Sequence, residues 1–173
     1  ISYADFHNIL TLALDFRDLD WARQFVERYS LILLPELQEK SRRMAFARIE
    51  FVKGDFRKAL KGLNKKVSHS GAIDQMLERI LRIQCHFELE EFDHLEYLLE
   101  SSRKQADRFK DAGSSIQPPF QKFVRMTRMI MRARLNVGLQ SAQSKVLEAL
   151  RGDIRAFANE WLEEKASELS ESE

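Results

Sequence analysis

Apolar residues return every three to four positions along nearly the whole chain, with charged and amide side chains filling the gaps. Phe6, Ile9, Leu10, Ala13 and Leu14 follow this spacing and predict a helix over residues 3–17, since a 3.6-residue turn gathers them into one stripe. Trp21, Ala22, Phe25, Val26 and Tyr29 continue it in a second helix, with Asp20 as its cap. The apolar run Leu31 to Leu34 halts at Pro35 and reads as the buried end of a hairpin. Residues 36–53 and 55–66 form a second pair of helices, and residues 73–89 and 92–109 a third. Composition marks loops at Ser68-His69-Ser70-Gly71 and at residues 111–115, after which Pro118-Pro119 suit a helix start. A helix over 120–135, a break at Asn136-Val137-Gly138 and one long helix over 141–169 complete the chain, about eight helices in all. No run alternates as a half-buried strand does, so the expected class is all-α.

The helices are organised around Phe51-Val52-Lys53-Gly54-Asp55-Phe56, which reads as a helix end, a tight turn and a return helix. Gly54 can supply the positive φ that a helix terminus favours, and Asp55 can cap the helix that follows. Phe16 to Trp21 and Phe87 to Phe92 each repeat an aromatic five residues after a Phe, at spacings of 35 and 36 from the central copy. A lone helical hairpin leaves an apolar face uncovered, and stacking copies at this period covers it.

Gly54-Asp55-Phe56 with Ala59 three residues on, and Phe46-Ala47 one helix earlier, resembles the tetratricopeptide repeat. Ala47 and Ala59 stand at that repeat's two small positions. The outer copies depart from it: Leu19 and Glu90 take the place of the turn glycine, and Gln24 and Leu95 that of the second small residue. The resemblance implies antiparallel hairpins stacked as a right-handed superhelix. Residues 1–112 would supply three hairpins, the first and third degenerate, 117–169 a capping hairpin, and 170–173 a frayed tail. It also implies a concave groove lined by the first helix of each hairpin. In this register Ile9, Ala13 and Phe16 stand beside Met44, Arg48 and Phe51, then Ile80, Gln84 and Phe87, with Arg17 at one edge. Such a groove holds an extended segment or a helix of another protein. The lysine and asparagine pattern by which chaperone-type repeats grip a terminal carboxylate is not recognisable.

Charge adds one competing reading. The helix over 120–135 carries Lys122, Arg125, Arg128, Arg132 and Arg134, five cations and no acid, on what reads as an outward face. With Lys58, Lys61, Lys65 and Lys66 it offers phosphate contacts to nucleic acid. Against it, the net charge is only +1, and from Arg151 onward three basic residues face seven acidic ones that could pair with the basic helix.

Catalytic and metal chemistry find little footing. Cys85, His86, Glu90 and His94 fall within ten residues, but the hairpin register puts a turn at Leu89 to Glu91 that splits them. No C-x-x-C, H-E-x-x-H or glycine-rich phosphate loop occurs. Asp18, Asp20 and Asp55 read as caps and turn residues. The expectation is therefore a non-enzyme with no cofactor and no metal. One cysteine allows no intrachain disulfide and favours a reducing compartment, and no apolar stretch is long enough to span a membrane. A chain beginning at Ile1 reads as a segment of a longer, cytoplasmic protein. Its partner would be another protein or peptide, with self-association through the apolar surface as a further possibility.

Overall fold

Capping chemistry decides where the helices begin and end. In the computed structural model, which describes residues 1–64, 71–106, 115–135 and 140–170, secondary structure is helical throughout the described residues. The chain falls into two compact units, Ile1–Leu89 and Glu90–Glu173.

The first unit holds α1 (Tyr3–Asp15), α2 (Leu19–Tyr29), a 3-10 turn (Ser30–Ile32), α3 (Pro35–Lys53), α4 (Phe56–Leu63) and α5 (Ala72–Glu88). Ser2 and Asp5 close a capping box at the head of α1. Asp18, not Asp20, caps α2, its carboxylate accepting from Trp21 N at 3.1 Å. Asp55 caps α4 in the same way through Lys58 N at 3.1 Å. Between α3 and α4, Gly54 takes φ +89° as expected. Its equivalents are Arg17 at +56° and Glu90 at +55°, spaced 37 and 36 residues from it.

The hydrogen bonds around the first two turns match one for one. Arg17 N donates to Leu14 O and Asp18 N to Ala13 O, as Gly54 N does to Phe51 O and Asp55 N to Glu50 O. Thus the first copy sits two residues away from the 35-residue register, with Arg17 rather than Leu19 at the turn position. Ala22, buried like Ala59 and 37 residues before it, supplies the small residue that Gln24 lacks.

Two clusters share α3. Phe6, Leu10, Ala13 and Leu14 of α1 meet Ala22, Phe25 and Val26 of α2 on the Ala45 and Ile49 face. Ala47, on another face, joins Ala59, Leu63, Leu81 and Cys85 of α4 and α5. Small residues at 45, 47 and 59 allow close helix approach, while stacked Phe6 and Phe25, 5.3 Å apart, fill the wider gap. The run before Pro35 departs from expectation. Leu33 is buried, but Leu31, Ile32 and Leu34 are about 60% exposed, because the 3-10 turn points them away from the α1–α3 core.

The second unit holds α6 (Phe92–Ala106), α7 (Gln117–Leu135), α8 (Gln140–Leu150) and α9 (Asn159–Ser167), closed by a 3-10 turn (Glu168–Ser170). α7 is its centre, packing against α6, α8 and α9, with Phe120, Phe123, Met126 and Ile130 fully buried. The expected single helix over 141–169 is two helices. Between them lie the turn at Gly152-Asp153 and Ala158 at φ +48°. Lys122 Nζ donates to Ile154 O and Phe157 N to Pro119 O, so α7 supplies partners for backbone that has left the helical ladder. That division raises the count to nine α-helices among the described residues. Lys65, Lys66, the Ser68–Ser70 stretch, the helix end at 107–109, the loop at 111–114, the break at 136–138 and the tail at 171–173 lie outside the described residues.

Candidate functional site

Helical periodicity brings three helices of the first unit to one concave surface. Tyr3, His7 and Thr11 recur four residues apart on α1, as do Lys40, Met44 and Arg48 on α3, so each trio forms one row. α5 closes the far side with Asp74, Leu77, Glu78, Ile80, Leu81 and Gln84. Together these side chains line a groove of about 330 Å³.

One end is held by ionic contacts. Asp74 accepts from the Tyr3 hydroxyl at 2.5 Å and from Lys40 Nζ at 2.7 Å, tying α1 and α3 to α5. Burial alone would raise the Asp74 pKa, yet the bonds from Lys40 and Tyr3 outweigh it and hold the carboxyl below its ordinary value. Burial, then the Asp74 bond, pushes the Tyr3 phenol upward. Next to this set, Glu78 pairs with Arg43 at 2.5 Å and with Arg82 at 2.8 Å. Both arginines also donate to Leu63 O, at 2.6 and 2.7 Å, and so satisfy a terminal carbonyl of α4. Three cations share two carboxylates here, and each is tied into the packing of α3, α4 and α5, so their work is structural.

The middle and far end differ. Met44, Leu77, Ile80 and Leu81 give an apolar lining. Arg48 donates to Thr11 Oγ1 at 2.9 Å, and Thr11 in turn donates to His7 O at 2.8 Å. Among the described residues no carboxylate forms a salt bridge with Arg48, and burial lowers its pKa, only partly offset by the charge of Asp15. His7 stands edge-on to Tyr3 and Phe6, and its Nε2 is buried without a hydrogen-bond partner. Burial, and then the positive charge of Arg48, brings the His7 pKa down to about 4. The imidazole is thus neutral at physiological pH.

Of the residues expected in the groove, Met44, Arg48, Ile80 and Gln84 are there. Phe51 is half-buried against Phe56, ring centroids 5.4 Å apart. Phe87 is wholly buried and Ala13 belongs to the first core cluster. Arg17 forms the turn after α1, while Ile9 and Phe16 are exposed, Phe16 at 77%. The α1 contribution was displaced by the two-residue register offset: Thr11, not Ala13, meets Arg48. Tyr3, His7 and Thr11 were therefore missed, although the 37-residue interval between the capping aspartates Asp18 and Asp55 carries the correct register; Lys40, Asp74 and Glu78 lie on α3 and α5 ahead of the positions expected there.

The basic helix is less free than its sequence implies. Lys122 is not outward but 8% exposed, its ammonium on Ile154 O. Arg128 faces Glu96 at 3.3 Å and Glu100 at 3.2 Å, and Arg132 reaches Glu96 at 3.4 Å. Arg103 and then Arg128 hold the Glu100 pKa down to about 2. Arg134 pairs with Glu168 near the chain's acidic end. Arg125 alone of the four candidate cations is exposed without an ion-pair partner among the described residues.

Among the described residues no three His, Cys, Asp or Glu side chains converge as a metal would require. Cys85 is buried, which pushes its thiol up to about 12 and leaves it a poor nucleophile. No helix among the described residues is long and apolar enough to cross a membrane. No protein-family model, no curated protein and no solved structure matches this chain.

Proposed function

We propose that this chain is a tetratricopeptide-like, non-enzymatic interaction module of the cytoplasm that holds a peptide or helix of another protein in the groove of α1, α3 and α5. One observation carries the reading: α1, α3 and α5 line a single groove with an apolar middle, ion pairs at one end and Arg48 at the other. Apolar side chains of a partner would fill the space over Met44, Leu77 and Ile80, and the fixed polar groups would set its direction. The equivalent left-handed turns at Arg17 and Gly54, 37 residues apart and alike in their hydrogen bonds, support stacked hairpins as the scaffold of the first unit. Nucleic-acid binding through α7 draws less support, since Lys122, Arg128 and Arg132 already have partners.

A photoreactive residue placed at Leu77 in the groove, with Glu27 on α2 as the exposed control position, tests the assignment in the native cell. The expected result is one discrete protein adduct from position 77, absent from position 27 and lost when Met44→Arg narrows the groove. Adducts from both positions alike, or from neither, would sink it.

A further inference from the structure

The groove contains three cations and two carboxylates, and their pairing is uneven. Lys40 pairs with Asp74 and Arg43 with Glu78, each at 2.7 Å or less, Glu78 being shared with Arg82. Among the described residues Arg48 has one hydrogen-bond partner, the neutral Thr11 Oγ1, and no salt bridge; the charge of Asp15 reaches it only through space. A guanidinium carries five N–H donors in a planar fork that suits a carboxylate. The side chain is half-buried, and a cation partly withdrawn from water without a salt bridge gains from an anion seated on it. His7 does not compete, because it is neutral, and Gln84 adds an amide to the same wall. Met44, Ile80 and Leu81 line the same groove and favour apolar neighbours in whatever binds.

We infer that the groove selects a partner segment bearing an acidic side chain, Asp or Glu, between apolar residues, with that carboxylate seated on the free edge of the Arg48 guanidinium. This rests on the peptide-binding reading and narrows its ligand. Charge complementarity is the ground for it: the same unpaired cation repels a basic segment, so it discriminates as well as attracts.

The test is a selection of random twelve-residue peptides displayed on phage, fused through their C-termini so that no free terminal carboxylate is offered. It uses the full chain and the Arg48→Gln variant. Peptides chosen by the wild type and lost on Met44→Arg are then synthesised with amidated ends. Asp or Glu is expected at one fixed position, and exchange for Asn or Gln should weaken binding about tenfold or more. With Arg48→Gln that exchange should have no effect. The variant should melt no lower than the wild type, since a cation lacking a counter-charge is removed, and this separates lost recognition from lost folding. Groove-dependent peptides without an acidic position, or an equal acid preference in Arg48→Gln, would overturn the inference while leaving peptide binding intact. Selection of no groove-dependent peptide would overturn both.

Discussion

Among the described residues four lie in the left-handed region, Arg17, Gly54, Glu90 and Ala158, and only Gly54 is a glycine. An L-residue there crowds its Cβ against the following carbonyl, at about 1–2 kcal/mol, while glycine carries a smaller entropic penalty in the unfolded chain. A Cβ added at Gly54 meets nothing within 4 Å, so a substitution there tests backbone preference alone. Gly54→Ala should therefore destabilise the protein by about 1 kcal/mol, and Arg17→Gly should stabilise it by about 0.5–1 kcal/mol. Urea titrations of both variants check this, and equal shifts of the same sign would contradict it. The series also shows where the sequence was readable. Gly54, Asp55 and Ala59 announce their turn because each residue type suits its backbone. Arg17 and Glu90 adopt the same geometry against their own preference, and no local signal marks them. The aromatic spacing of 35 then aligned Phe16 with Phe51, although Leu14 is the residue at the corresponding place before the turn.

Elements were easier to locate than to terminate. Amphipathic spacing finds α1 to α7 because each buries one face, and it does not report a break within a continuing apolar pattern. Val146, Leu150, Ile154, Phe157 and Trp161 keep helical phase across Gly152-Asp153, yet the chain leaves the helix there and the Ile154 carbonyl turns to α7. Charge on α7 is similarly incomplete evidence, because its neutralising acids come from α6, far away in sequence. Arg128 is 19% exposed and sits between Glu96 and Glu100. Arg128→Glu would place a third carboxylate between those two and should lower stability by roughly 1–3 kcal/mol. Arg125→Glu, on the exposed face of the same helix, should stay within about 0.5 kcal/mol of wild type. Thermal melts of the two variants side by side test this: similar melting points would mean that the α6–α7 ion pairs contribute nothing. The contrast also governs any assay for nucleic-acid binding, where Arg125→Glu is the reversal that leaves folding undisturbed.

At the scale of the whole molecule, the groove was legible as an architecture and only partly as a residue set. α3 and α5 contribute Met44, Arg48, Ile80 and Gln84 where the repeat register placed them, together with the ion pairs of Lys40 and Arg43 that it did not mark, whereas α1 contributes a row two residues out of phase that brings Tyr3, His7 and Thr11. Those groups leave a signature in overall stability. Burial and the Arg48 charge depress the His7 pKa from 6.5 to about 4, so the folded state favours the neutral ring. His7 therefore stabilises the fold fully above pH 6.5, and acidification toward pH 4 removes that contribution as the unfolded chain takes up a proton first. Glu50, Asp74, Glu78 and Glu100 act in the same direction, but from lower ordinary values near 4, so they lose their contributions further down the scale. The two windows separate. Between pH 6.5 and 4.5 the unfolding free energy should fall by up to about 1.4 kcal/mol per pH unit, and His7→Gln should flatten that segment while leaving the steeper acid limb in place. Denaturant titrations at pH 7.5, 5.5 and 4.5 decide it, because an unchanged slope in His7→Gln would assign the upper window to other groups and remove His7 from the account of the groove's electrostatics.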